Sequence, residues 1–224
     1  MKRHIDQELQ GLKDKILHMG SLAEEMVRLS SKTFVDRSSE SSPRIFELES
    51  QVNQMQLQID EESVRILALY QPEATDLRTI ISTVKMNSEL ERIADQAINI
   101  TQTCCNYLLK ETPLPSTMEI PRMSELAQEM IKISLDAYSP KNVEMAQIVL
   151  QKDQEQDILK SRLLNTVISM IPHHASQAQQ FIDFILISKN LEKIGDHATN
   201  IAEDVIYMVL GKDIRHPSRN VVQS

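Results

Sequence analysis

Two stretches of this chain repeat each other in residue character, one in each half. Leu90-Glu91-Arg92-Ile93-Ala94-Asp95-Gln96-Ala97-Ile98-Asn99-Ile100 matches Leu191-Glu192-Lys193-Ile194-Gly195-Asp196-His197-Ala198-Thr199-Asn200-Ile201. Further upstream, Leu22-Ala23-Glu24-Glu25-Met26-Val27-Arg28-Leu29-Ser30 matches Leu126-Ala127-Gln128-Glu129-Met130-Ile131-Lys132-Ile133-Ser134. Similarity at two separate places, in the same order, makes the chain two copies of one unit. The fold must therefore be one that a half-length segment can build twice.

Apolar periodicity says what that unit is. In the first copy Met86, Leu90, Ile93, Ala97, Ile100, Cys104 and Tyr107 recur alternately four and three residues apart. Ile187, Leu191, Ile194, Ala198, Ile201, Val205 and Met208 do the same in the second. This is the seam of a helix packed at a shallow angle in a bundle. Composition agrees: the chain has 4 Gly, 4 Phe, 4 Tyr and no Trp, whereas sheets consume glycine in turns and aromatic residues in strands.

Breaks in the pattern predict six helices. The first three run over about 7–37, 44–70 and 75–110, separated by Ser38-Ser39-Glu40-Ser41-Ser42-Pro43 and by Pro72, with Thr75 as an N-cap. The last three run over about 121–138, 141–171 and 176–210, separated by Ser139-Pro140 and Pro172 and closed by Gly211. Between the sets, Pro113, Pro115 and Pro121 mark the boundary between halves. The expected fold class is all-α: two tandem three-helix bundles related by internal duplication, over residues 1–112 and 113–212, followed by a tail at 213–224.

Charge and motif content narrow the function. A net charge of −8 with no Lys/Arg cluster speaks against direct nucleic-acid binding. No apolar run approaches the roughly 18 residues that span a bilayer, and the polar start Met1-Lys2-Arg3-His4 lacks the apolar core of a signal peptide. With Cys104 and Cys105 the only cysteines, a reducing, cytoplasmic home is expected, with Cys104 a small buried apolar residue on the seam. No glycine-rich phosphate loop, nucleophile elbow or His-Glu-x-x-His is present, and no His has Glu three residues before it, which removes a ferritin-like di-iron site. His173 and His174 follow a proline at a helix break and read as loop residues. Nothing has the form of an active site.

Chemistry is concentrated in two carboxylate ladders. Glu91, Asp95 and Asn99 stand four residues apart, as do Glu192, Asp196 and Asn200, with Glu203 extending the second set. At about 100° per residue such side chains share one helix face, and that face lies opposite the apolar seam, on the outside of its bundle. The middle helices add Glu49 with Asn53, and Asp153 with Asp157 in a run, 151–157, that has no apolar residue. One reading is a solvated surface. The other is a platform of hard oxygen donors for Mg²⁺, Mn²⁺ or iron, since crowded carboxylates repel one another unless a cation intervenes. His197, beside the second ladder, is either a surface histidine or a ligand.

At these residues the sequence resembles the PhoU family of phosphate-transport regulators. The resemblance rests on 90–95 and 191–203 as an acidic signature, on Glu49/Asn53 and Asp153/Asp157 as its companion pairs, and on 59–66 and 71–78. It implies symmetric three-helix bundles whose carboxylates bind iron first, with Mn, Mg or Zn as alternatives. The implied role is that of a non-catalytic cytoplasmic adaptor, commonly a homodimer, acting between the ATPase subunit of a phosphate ABC transporter and a membrane sensor histidine kinase. It would repress the phosphate-starvation regulon when phosphate is sufficient. Ala94 in place of the family's usual glycine, Gln96, and Asn53 in place of a carboxylate imply a weaker first cluster than that of Asp153, Asp157, Glu192, Asp196 and Asn200. A metal-dependent enzyme and a metal-free helical scaffold are the competing readings.

Overall fold

The computed structural model describes residues 3–110 and 118–215, and among them every regular element is helical. Six long helices are α1 (His4–Val35), α2 (Ser42–Tyr70), α3 (Ala74–Asn106), α4 (Glu119–Tyr138), α5 (Val143–Met170) and α6 (Ala178–Leu210). Short 3₁₀ turns follow α3 and connect α5 to α6. Most of the proline-rich segment between the halves, and the tail beyond residue 215, lie outside the described residues.

The helix ends follow from local chemistry. Gly211 closes α6 at φ 67°, its N–H bonding to the Tyr207 carbonyl, as expected for a left-handed cap. The first ordinary helical residue after Pro140 is Val143, because Lys141 adopts φ 57° and the Asn142 side chain accepts the Met145 N–H at 3.0 Å. Thr75 is not the cap of α3. That place is taken by Glu73 in extended backbone, immediately after Pro72.

Each half is a three-helix bundle. In the first, α1, α2 and α3 all pack on one another; in the second, α4, α5 and α6 do. The bundles join through α1 with α4 and, more extensively, α3 with α6, so that α2 and α5 are left on the two flanks. Both predicted seams are buried along their length except for Tyr107. That residue lies past the end of α3 and is exposed, while Leu108 in the following turn is buried instead.

The cores of the two bundles are one continuous apolar cluster. Phe34 of α1 meets Phe184 of α6 edge to face at 6.0 Å between ring centres. Gly20 of α1 lets Leu135 of α4 come so close that an added Cβ would stand 2.4 Å from its Cδ1. Thr83 and Tyr138 share a buried hydrogen bond at 3.0 Å across the same junction. Helices α3 and α6 are therefore buried on two faces, and only the remaining strip of each can carry an exposed site.

A carboxylate furrow between the fifth and sixth helices

The exposed strip of α6 borders α5, and the two helices together form an acidic furrow. Asp153 and Asp157 enter it from α5, Glu192 and Asp196 from α6. Burial, then the neighbouring charges of Asp196, Asp157 and Glu192, push the Asp153 carboxyl above its ordinary range. Asp196 is raised in the same way, by burial and then by Glu192, with Asp157 also contributing. Like charges are being held together at the edge of the protein interior. Thr199, half-buried beside Asp153, works against the rise there through its side-chain hydrogen bond to the carboxyl.

Helical arithmetic explains which ladder residues belong. Steps of four advance about 40° around a helix, so a ladder of three drifts by about 80°. Asn200 has consequently turned out of the furrow towards α3, where its amide donates to Glu89 at 3.0 Å. Glu203, three residues on, swings back to the side of Asp153, and burial raises its carboxyl while Arg215 opposes the shift.

Cations are distributed unevenly around α5. On its α4 side, Lys152 pairs with Glu129 at 2.7 Å and Arg122 with Glu155 at 2.9 Å. On its α6 side the principal counter-charge is Lys160, held by Glu192 at 2.5 Å. Among the described residues, no three His, Cys, Asp or Glu side chains are gathered as a ready-made metal site.

The first repeat carries a sparser version. Burial and then Asp95 raise Glu49, and the same two causes in the same order raise Glu91. Asn53 and Asn99 are exposed and make no contribution to this pair of acids. One acid from α2 thus stands beside two from α3, against two and two in the second repeat.

Sequence reasoning missed two residues, and the first, Glu89, is found through His197. His197 is not a surface histidine: its side chain is 14% exposed and its Nδ1 lies 2.7 Å from Glu89 of the other bundle. Burial disfavours the Glu89 carboxylate, but the hydrogen bonds from His197 and Asn200 outweigh it and bring its pKa below the ordinary value. No periodic signal marked Glu89, because its partners lie in the other repeat. The second is Gln156, in the wholly polar run of α5. It is buried, and its amide donates to the carbonyls of Met123 at 3.3 Å and Leu191 at 3.0 Å, tying α5 to both neighbours. Cys104 is a core residue as expected, and burial pushes its thiol up to about 12.

The comparison with known proteins matches these geometric halves. The PhoU domain occurs twice, over residues 16–104 and 120–205. The chain belongs to the PhoU family. A phosphate-specific transport system accessory protein PhoU homolog of Pseudomonas aeruginosa is 35% identical over 220 residues, covering 96% of this chain and 91% of that protein. The homolog of the same name from Clostridium acetobutylicum is 31% identical, covering 95% of this chain and 97% of its own. The crystal structure of PhoU from Pseudomonas aeruginosa superposes with a TM-score of 0.89 at 34% identity, covering 93% of this chain and all of that one. That of the phosphate transport system regulatory protein PhoU from Streptococcus pneumoniae gives 0.85 at 24% identity, which speaks to the fold alone. These PhoU proteins are named as accessory and regulatory proteins, not as enzymes.

Proposed function

We propose that this chain is a cytoplasmic regulator of phosphate uptake, an adaptor between the ATPase subunit of a phosphate ABC transporter and a membrane sensor histidine kinase. It holds the phosphate-starvation regulon down when phosphate is sufficient. The observation that carries the reading is the double PhoU match together with full-length relatives named for the phosphate-specific transport system. A helical body with no helix among the described residues able to cross a membrane fits a protein that meets membrane complexes from one side. Deleting the gene should raise expression from phosphate-starvation promoters in high-phosphate medium. Unchanged expression would refute the role. Tagged protein should bring down the transporter ATPase and the kinase from phosphate-replete cells.

The furrow is the proposed metal platform. Asp153, Asp157, Glu192 and Asp196 are hard oxygen donors on two adjoining helices, and their mutual repulsion supplies the reason for a cation. Iron is the first candidate, with Mn, Mg or Zn next. Bound there, a cation would neutralise the acids and clamp α5 to α6. The first repeat, with Glu49, Glu91 and Asp95, is a weaker second platform. Asn200 is committed to Glu89 and Asn99 is exposed, so neither is needed for this reading. Elemental analysis of protein purified from its own cells should show metal that is lost in D153N/D196N. Equal metal content in both would retire the platform. The salt bridge of Lys160 to Glu192 favours the second reading, a metal-free docking face in which that lysine is the permanent counter-ion. In that case K160M, which frees Glu192, should leave metal content at zero.

A further inference from the structure

The furrow between α5 and α6 does not end at its acids. The helices run antiparallel, and Asp157 and Glu192 give way first to Lys160 and Lys189, then to an apolar groove of about 180 Å³ flanked by Leu164 and Ile185. One turn beyond, the apolar lining continues: Ile168 is 56% exposed on α5 and Ile182 is 51% exposed on α6. Leu186, 42% exposed, lies next round the helix, on the side towards α3. From Phe181 to Ile187, α6 is apolar on every side apart from Asp183, although its outer face is uncovered in the single chain. A helix apolar all round is one built to be covered on all sides.

The other repeat carries this surface only in part: Ile168 and Ile182 align with Val64 and Ile81, which are exposed and apolar too, but the centre of the groove differs. Aligned through the acidic signatures, Leu164 corresponds to Asp60, Lys160 to Gln56 and Leu186 to Lys85. Asp60 is hydrogen-bonded by Asn87 at 2.9 Å, so a polar contact stands where the second repeat has the groove's centre. A duplication that is faithful in its core, its ladder and the exposed apolar pair at the outer end has diverged at the groove's centre and at its lysines.

Charge decides what covers it. Of the two lysines at the inner end of the groove, Lys160 is held by Glu192, whereas Lys189 has no ion-pair partner among the described residues. We infer that the groove receives an amphipathic helix of a partner protein, whose apolar stripe fills the cleft of Leu164 and Ile185 and whose next turn presents an acidic residue to Lys189. The stretch from Ile168 to Lys160 covers eight residue steps, about 12 Å at 1.5 Å per step, so two to three turns of partner helix suffice. Helix-in-groove recognition of this kind is read by anchors at i, i+3, i+4 and i+7. The inference rests on the adaptor reading only for the existence of a protein partner.

The test uses the full chain and two fluorescein-labelled, stapled helical peptides. Both carry leucines at i, i+3, i+4 and i+7; one has two glutamates in the following turn, the other two lysines. In fluorescence anisotropy the glutamate peptide should bind at least about tenfold tighter. K189E should reverse the preference, and L164S/I185S should abolish binding of both peptides with helicity by circular dichroism unchanged. Equal affinity for the two peptides, or binding indifferent to L164S/I185S, would overturn the proposal. So would a dimer in sedimentation velocity that L164S/I185S dissociates, since the groove would then belong to a second copy. None of these outcomes depends on the deletion phenotype, so the adaptor role and the groove can fail separately.

Discussion

Asp204 shows how a single carboxylate is caught between burial and charge. It is 2% exposed on the α3 side of α6, with Lys85 Nζ at 3.5 Å and Arg215 Nη1 at 3.8 Å. Burial outweighs both cations and pushes its pKa up to about 6, against an ordinary 3.8. The sign follows from proton uptake: between those values the folded chain binds more protons than the unfolded one, so its contribution is greatest below pH 4 and is lost as pH rises through about 6. At about 1.4 kcal/mol per pKa unit, roughly 3 kcal/mol rides on this residue. In D204N, thermal melts in chelator should lose most of the decline in stability between pH 4 and 6 that the parent chain shows; an unaltered slope would mean that Asp204 ionises freely. Gly195 makes a second residue-scale prediction. A Cβ there would meet Gln156 Cγ and Met130 Cε at 3.5 Å, ordinary contact distances. G195A should therefore gain about 0.5–1 kcal/mol in urea unfolding from helix propensity alone. The first repeat already holds Ala94 at this place, buried within α3.

Among elements, the crossing of α1 with α4 is set by Gly20. Leu135 Cδ1 and Cδ2 would lie 2.4 and 2.8 Å from an added Cβ, which forces either that side chain or the helix pair to move. G20V should destabilise by about 1–3 kcal/mol. Adding L135A should recover part of that loss, a coupling that a double-mutant cycle in urea measures directly; strictly additive costs would show that the helices do not meet there. The elements themselves were legible in the sequence to within a few residues at each end, because apolar spacing, proline and Gly211 act locally. The ladder was half legible. Spacing placed Glu192 and Asp196 on one face, but that Asp153 and Asp157 stand across from them is a relation between two helices that spacing along either one does not contain. The drift of a four-residue step carried Asn200 elsewhere, and helix geometry alone could have shown this.

At the scale of the molecule, the halves share one core. Residues of both repeats form a single apolar cluster, and the pairs Phe34–Phe184, Thr83–Tyr138 and Glu89–His197 all cross the junction. Neither half can keep these groups buried without the other. Urea unfolding should accordingly be a single transition, with calorimetric and van't Hoff enthalpies in agreement. Two resolved steps would instead assign each PhoU repeat its own stability. The amino-acid sequence on its own determined the number of helices, their limits, the duplication and which residues form each bundle's seam, because all of these follow from periodicity along one chain. Tertiary structure alone decided that α3 and α6 bury a second face, that Glu89 answers His197, and that acids, lysines and an apolar groove line up in one furrow. Those are distances between separate helices, and the angle at which two bundles meet leaves no period in either of them.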